Sequence, residues 1–196
     1  MKKIVLTLVL ISAIHCKAQS PIIDIVGRSG PEINNAYYKD VNNVLNTFEG
    51  TWQSYDPLTN STLKIVLVKK QMFHNVTIYE DVLIGEYQFI ANGVEMVNTL
   101  GNINAILPTP YHYKIGGNYM FVGPQRSPFD NSTANEIRVK LHFSDNCGGS
   151  ITIRKTTING AEAIEFLKVC TQGTIFPGQQ RLTPIVKEGF YTLLKV

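Results

Sequence analysis

Apolar and polar residues alternate with a period of two over most of the chain, the mark of strands with one buried face. The clearest run goes from Glu136 to Phe143: Ile137, Val139, Leu141 and Phe143 share one face, and Glu136, Arg138, Lys140 and His142 share the other. Leu63, Ile65 and Leu67 alternate with Lys64, Val66 and Val68, and Tyr111, Tyr113 and Ile115 alternate with His112 and Lys114. A run from Leu83 to Ile90 meets Asn92-Gly93 and returns as Val94 to Leu100. Asn-Gly tolerates the positive φ of a type I′ turn, so these runs predict a hairpin with Phe89 facing Met96 and Tyr87 facing Asn98. Gly116-Gly117-Asn118 reads as a turn leading into Tyr119 to Val122, and Phe190 to Val196 as a last strand.

The hairpin from Ser150 to Cys170 turns at Asn159-Gly160. With those two as turn residues, Ile158 faces Ala161, Arg154 faces Glu165 and Ile153 faces Phe166. The same count places Gly149 opposite Cys170 and Cys147 opposite Gln172. Cys147 and Cys170 are then diagonal neighbours, about 7–8 Å apart before any bend. Gly148-Gly149 supplies the bend that a disulfide requires. Two buried free thiols are the alternative.

Before these strands, Tyr37, Val41, Val44, Leu45 and Phe48 fall at helical spacing, with Asn34 or Asn35 available as N-cap, predicting one short amphipathic helix ending by Gly50. Residues 19–33 are polar and broken by Pro21, Gly27, Gly30 and Pro31, an extended leader. The pattern sums to about nine or ten strands in one all-β domain over residues 34–196, an up-and-down antiparallel barrel or strongly curved sheet with an N-terminal helix. Residues 123–135 and 171–188 read as surface loops.

Residues 1–18 change the charge picture. Lys2 and Lys3 precede an apolar run from Ile4 to Ile14, and Cys16-Lys17-Ala18 precedes Gln19, the layout of a secretory signal peptide cleaved before Gln19. Lipid attachment at Cys16 is the rival processing, disfavoured by the bulky His15. The whole chain has 18 Lys+Arg against 15 Asp+Glu, and loss of Lys2, Lys3 and Lys17 leaves 15 of each. A neutral mature chain lacks the clustered cations that a nucleic-acid backbone demands. Lys69-Lys70 reads as a solvated strand end, and no later stretch is apolar enough to span a membrane.

Phe48-Glu49-Gly50-Thr51-Trp52 resembles the Phe-x-Gly-Thr-Trp start of lipocalin and fatty-acid-binding barrels. The resemblance implies that Gly50 permits a tight entry and Trp52 plugs the closed end. Where lipocalins set an Arg against this Trp, the last strand here offers Lys195. The signal ending in Lys-Ala-Gln, this motif, Gly85-Glu86-Tyr87, Asn92-Gly93 and Asn98-Thr99-Leu100 also resemble an uncharacterised family of secreted Bacteroidetes proteins.

Chemistry-bearing residues are sparse. His74, His112 and His142 show neither nucleophile-elbow nor zinc-ligand spacing, and His112 and His142 read as solvated strand positions. Glu80 and Glu86 share a strand face about 20 Å apart, too far for a glycosidase dyad, and these carboxylates, with Asp81 at a bend, read as solvated. No catalytic residue, metal or cofactor is expected. Tyr87, Phe89, Tyr111, Tyr113, Tyr119 and Phe121 offer aromatic area with polar handles, suited to a ligand cavity or to core. The expected function is non-catalytic binding in the periplasm or outside the cell, of a small apolar or amphipathic molecule within the barrel or an envelope partner at its open end. An interaction or inhibitor protein with a filled barrel is the second reading, and a hydrolase the third.

Overall fold

In the computed structural model, residues 20–171 and 183–196 are described. The expected signal peptide and the Gln19 start lie outside them, as do the central residues of the 171–188 loop. The described chain is all-β. Strands β1 (Ile22–Asp24), β2 (Tyr37–Lys39), β3 (Gly50–Asp56), β4 (Ser61–Asn75), β5 (Ile78–Ala91) and β6 (Val94–Asn98) fill its first half. Strands β7 (Ile115–Val122), β8 (Ile137–Phe143), β9 (Ser150–Ile158), β10 (Ala161–Val169) and β11 (Gly189–Lys195) complete it.

Most neighbours in the sheet are neighbours in the chain, in the order β5-β4-β3-β11-β10-β9-β8-β7. The sheet then closes on itself where Leu83–Gly85 of β5 pair with Gly117–Ile115 of β7, making an eight-stranded ring. One edge of β5 pairs with β4; the other is shared by β2 at Tyr79 and Glu80, β7 at Leu83 to Gly85, and β6 from Gln88 onward.

Alternation fixes the inside of the ring. Trp52, Leu63, Ile65, Leu67, Tyr87, Ile115, Val139, Leu141, Phe143, Ile151, Ile153, Ile164, Phe166 and Leu193 are all buried and form one core. The β9–β10 register is the expected one, with Ile158 opposite Ala161, Arg154 opposite Glu165 and Ile153 opposite Phe166. Beyond it, Cys147 and Cys170 are joined as a disulfide with Cα atoms 5.6 Å apart. The bend is carried by Gly148 (φ +62°) and Gly149 (φ +123°), where any Cβ would overlap the Val169 carbonyl.

Four expectations are corrected. Among the described residues the helix expected before Gly50 is absent: Tyr37 and Tyr38 pair in parallel with Tyr79 and Glu80, and in this stretch only Leu45–Phe48 forms a 3-10 turn. The Asp40 carboxylate accepts the N–H groups of Val44 and Leu45, each at 2.8 Å, an organising contact invisible to helical periodicity. Tyr111 to Lys114 is not a strand, because Pro110–His112 forms another 3-10 turn. Gly116-Gly117-Asn118 is no turn but a bulge within β7. In the β5–β6 hairpin a bulge moves Phe89 opposite Val97 and Gln88 opposite Asn98. One extra residue on a strand shifts every later pair, and nothing in the alternation announces it.

The charged residues also depart from expectation. Glu80, Asp81 and Glu86 lie within β5 and are 5%, 1% and 2% exposed: Asp81 shares the inner face with Leu83 and Tyr87, and Glu80 and Glu86 share the outer face with Val82 and Ile84, which flanking residues cover. Val82, Ile84 and Tyr113 form a second small core there, with Ile103 and Leu107 packed against it. Lys69 is buried in an ion pair with Asp40 at 2.9 Å. Arg138 is 1% exposed because residues of the 123–135 loop fold over it, the carbonyls of Gly123 and Gln125 accepting from its guanidinium. Among the described residues no helix is long and apolar enough to cross a membrane.

Candidate functional site

The aromatic residues expected to line one pocket go to separate places. Tyr87 is core, 1% exposed and 4.8 Å from the Phe143 ring; burial, with help from the Asp145 and Glu86 charges, pushes its hydroxyl pKa up. Tyr113 belongs to the second core, its hydroxyl donating to the Ala105 carbonyl. Phe121 lies on the outer face beside Tyr119 and Arg138. Phe89 reaches one open cleft, and Tyr111 and Tyr119 reach another.

The first cleft, of about 840 Å³, sits at the mouth of the ring where the β3–β4 and β5–β6 turns meet residues 183–192. Leu63, Phe89 and Tyr191 form its apolar wall, and Asp56, Lys187 and Glu188 mark its polar rim. Around it Leu58, Val94, Met96 and Phe190 are exposed, a concentration of apolar surface at one end of the molecule. The Asp56 carboxyl is held below its usual pKa by hydrogen bonds from the Thr59 hydroxyl and the Leu58 N–H.

The disulfide lies at this end of the ring, with a buried cation beside it. Lys168 Nζ is 2.9 Å from the Asp145 carboxylate, both side chains fully buried, and donates to the Val186 carbonyl at 2.8 Å. It is also 3.3 and 3.5 Å from the two sulfurs. The contact with Val186 ties the segment entering β11 to β10. Lys168 was missed from the sequence, yet the alternation that sends Ile164 and Phe166 inward sends Lys168 inward as well.

The second cleft, of about 650 Å³, opens on the side of the ring between the N-terminal segment and β7–β8. The bulge in β7 shapes it. Gly116 pairs with His142 and Tyr119 with Lys140, leaving one surplus residue on β7. The bulge turns Asn118 so that its amide donates to Glu80 at 2.9 Å and to the Asp81 carbonyl at 2.8 Å. Arg28 bridges Glu80 and Glu32 and stacks 3.9 Å from the Tyr38 ring centroid. Tyr111 lies against the His142 ring at 5.0 Å. His142 Nε2 is 2.9 Å from the Tyr113 carbonyl, which can only accept, so this nitrogen carries the proton. Asn118 and Arg28 gave no sequence signal: one belonged to an apparent turn and the other sat in an apparent leader.

At the closed end, Trp52 is fully buried, its indole N–H donating to the Phe48 carbonyl at 2.8 Å. Lys155 and Lys195 stand 4.3 and 5.4 Å from its ring centroid. Their hydrogen bonds hold the Glu162 carboxyl at a pKa of about 2. Gly50 has φ +127°, and a Cβ there would stand 3.2 Å from Lys195 Cε, so a side chain meets both strain and contact. Beyond Trp52, Asp40 and Asp81 flank Lys69, and Asp81 accepts from Tyr37, whose hydroxyl is pushed up to about 12 by burial first and Asp81 second. This is a fully hydrogen-bonded structural network.

Among the described residues no group of three His, Cys, Asp or Glu could hold a metal ion. The Thr109–His112 pair, 2.8 Å apart, is an exposed bond within one 3-10 turn. No curated protein and no solved structure matches the chain. One family model, described as a family of unknown function (DUF6705), matches residues 1–174. That is most of the chain, and the protein therefore belongs to the DUF6705 family.

Proposed function

We propose that the mature protein is an exported, non-catalytic binding protein whose closed ring is a calycin-like barrel, and that it takes a small amphipathic ligand at the mouth of the ring. The carrying observation is the pairing of a filled interior with an apolar-walled mouth: the side chains above occupy the middle, and Phe89 and Tyr191 face an open cleft. A molecule with an alkyl part and a polar head suits an apolar wall with a charged rim. The filled interior also favours a second reading, an envelope partner docking on the exposed Leu58, Val94, Met96 and Phe190.

The test of the ligand reading is titration with lauric acid and with dodecylphosphocholine. Saturable one-to-one binding of either is expected, weakened about tenfold or more by Phe89→Asp, which places a charge on the wall. Absence of saturable binding by both, or a Phe89→Asp protein that binds as tightly, overturns it.

Export rests on the signal-peptide layout, on the resemblance to secreted proteins and on the oxidised cysteine pair. Non-reducing mass analysis of the mature protein is expected to show a start at Gln19 and a single linked peptide pair, Cys147 with Cys170. Closing that loop contributes roughly 3 kcal/mol on the chain-entropy model. A diacylglycerol mass on Cys16 contradicts the Gln19 start, and alkylation of both thiols without reduction contradicts the bond.

A further inference from the structure

We propose that the side cleft is a saccharide-binding site, separate from the mouth and selective for neutral chains. Tyr111 and Tyr119 line it with 64% and 58% of their surfaces exposed, yet neither ring is loose. Tyr111 rests on His142, and Tyr119 meets Phe121 edge-on at 4.8 Å. An exposed aromatic ring held in place is a platform for the apolar C–H face of a pyranose, and its ordering cost is already met.

Sugar hydroxyls need planar partners that give and accept hydrogen bonds at fixed positions. The cleft offers the Arg28 guanidinium, the Glu80 carboxylate and the Asn118 amide, locked to one another by the bonds described above. A β-bulge spent on aiming a single amide is a common device beside binding sites. Gly117 leaves β7 without a side chain in this lining, while Gly116 is packed under the Pro110 carbonyl and the His142 ring.

Charge then selects among ligand classes. The lining includes two cations, Arg28 and Lys140, and two carboxylates, Glu32 and Glu80, which cancel. Arg28 is committed to both carboxylates and Lys140 stands outside these ion pairs, so the lining as a whole carries no net charge to favour a phosphate or a uronate. A metal ion is equally unsuited, since both carboxylates already face Arg28. A neutral polyol with one apolar face satisfies all of these constraints.

The experiment is saturation-transfer NMR, followed by calorimetry, with cellotetraose, laminaritetraose, chitotetraose and mannotetraose, and with tetragalacturonate as the anionic comparison. At least one neutral chain is expected to bind in the millimolar range or tighter. Tyr119→Ala and Tyr111→Ala are each expected to weaken that chain about tenfold, with thermal midpoints within a few degrees of the parent because both rings are exposed. No binding of any neutral chain up to about 10 mM overturns the proposal. So does binding that both variants leave intact, or tighter binding of tetragalacturonate than of every neutral chain.

Discussion

Lys168→Ala is expected to destabilise the protein by about 3–5 kcal/mol, a large fraction of the roughly 5–15 kcal/mol that holds a domain of this size folded. The reason lies in what is left behind. Asp145 is fully buried beside Lys168, and without the ammonium it is either an unpaired carboxylate inside the ring or a proton must be taken up. The Val186 carbonyl loses its donor at the same time, freeing the segment that leads into β11. Urea denaturation of the disulfide-bonded protein measures this directly. Removing both charges, as Lys168→Met with Asp145→Leu, is expected to recover much of the loss, because a buried ion pair replaced whole costs far less than one broken in half. A single variant within about 1 kcal/mol of the parent shows that water reaches the pair, and that the inside of the ring is wet at this end.

Trp52→Ala is expected to cost a similar amount, about 3–5 kcal/mol, for different reasons. It empties the largest fully buried side chain at the closed end and leaves the Phe48 carbonyl without its indole donor. Lys155 and Lys195 also lose the ring they stand over, worth about 0.5–2 kcal/mol depending on how far they are desolvated. Trp52→Phe separates these effects, since it keeps an aromatic face and loses the N–H. A loss of less than half that of the alanine variant is expected. If Trp52→Ala leaves the denaturation midpoint unchanged, the closed end does not depend on this plug.

Alternation of side chains carried most of the fold. From Glu136 onward, Ile137, Val139, Ile151, Ile153, Ile164 and Phe166 fall where period two puts them, and the Asn159-Gly160 turn fixes their register as far as the disulfide. Alternation fails where the chain departs from two residues per repeat. The bulges at Gly116 to Tyr119 and near Met96 each add a residue, and one of them builds the side cleft. It fails again on β5, where Glu80 and Asp81 are buried because Arg28 and Asn118, far off in sequence, supply partners to them. Such partnerships depend on the closed ring, so no local window of sequence contains them. The aromatic residues show the same limit: tyrosine's dual character foretells burial or a cleft, and Tyr87, Tyr111 and Tyr113 divide between the two.

The way the ring is closed has a kinetic consequence. Hairpins β4–β5 and β9–β10 link residues close in the chain and can form early. Two of the other seams cannot. The β5–β7 seam holds three residue pairs, and the β3–β11 seam holds two, Gln53 with Leu194 and Trp52 with Lys195. The second joins strands from the beginning and the end of the ring, so the most entropically demanding closure is secured by the fewest pairs. Until Lys195 arrives, Trp52 lacks its last wall and the edges of β3 and β10 stand unpaired, ready to pair with another chain. The docking of β11 is therefore expected to be the late step of folding and the moment of greatest risk of aggregation.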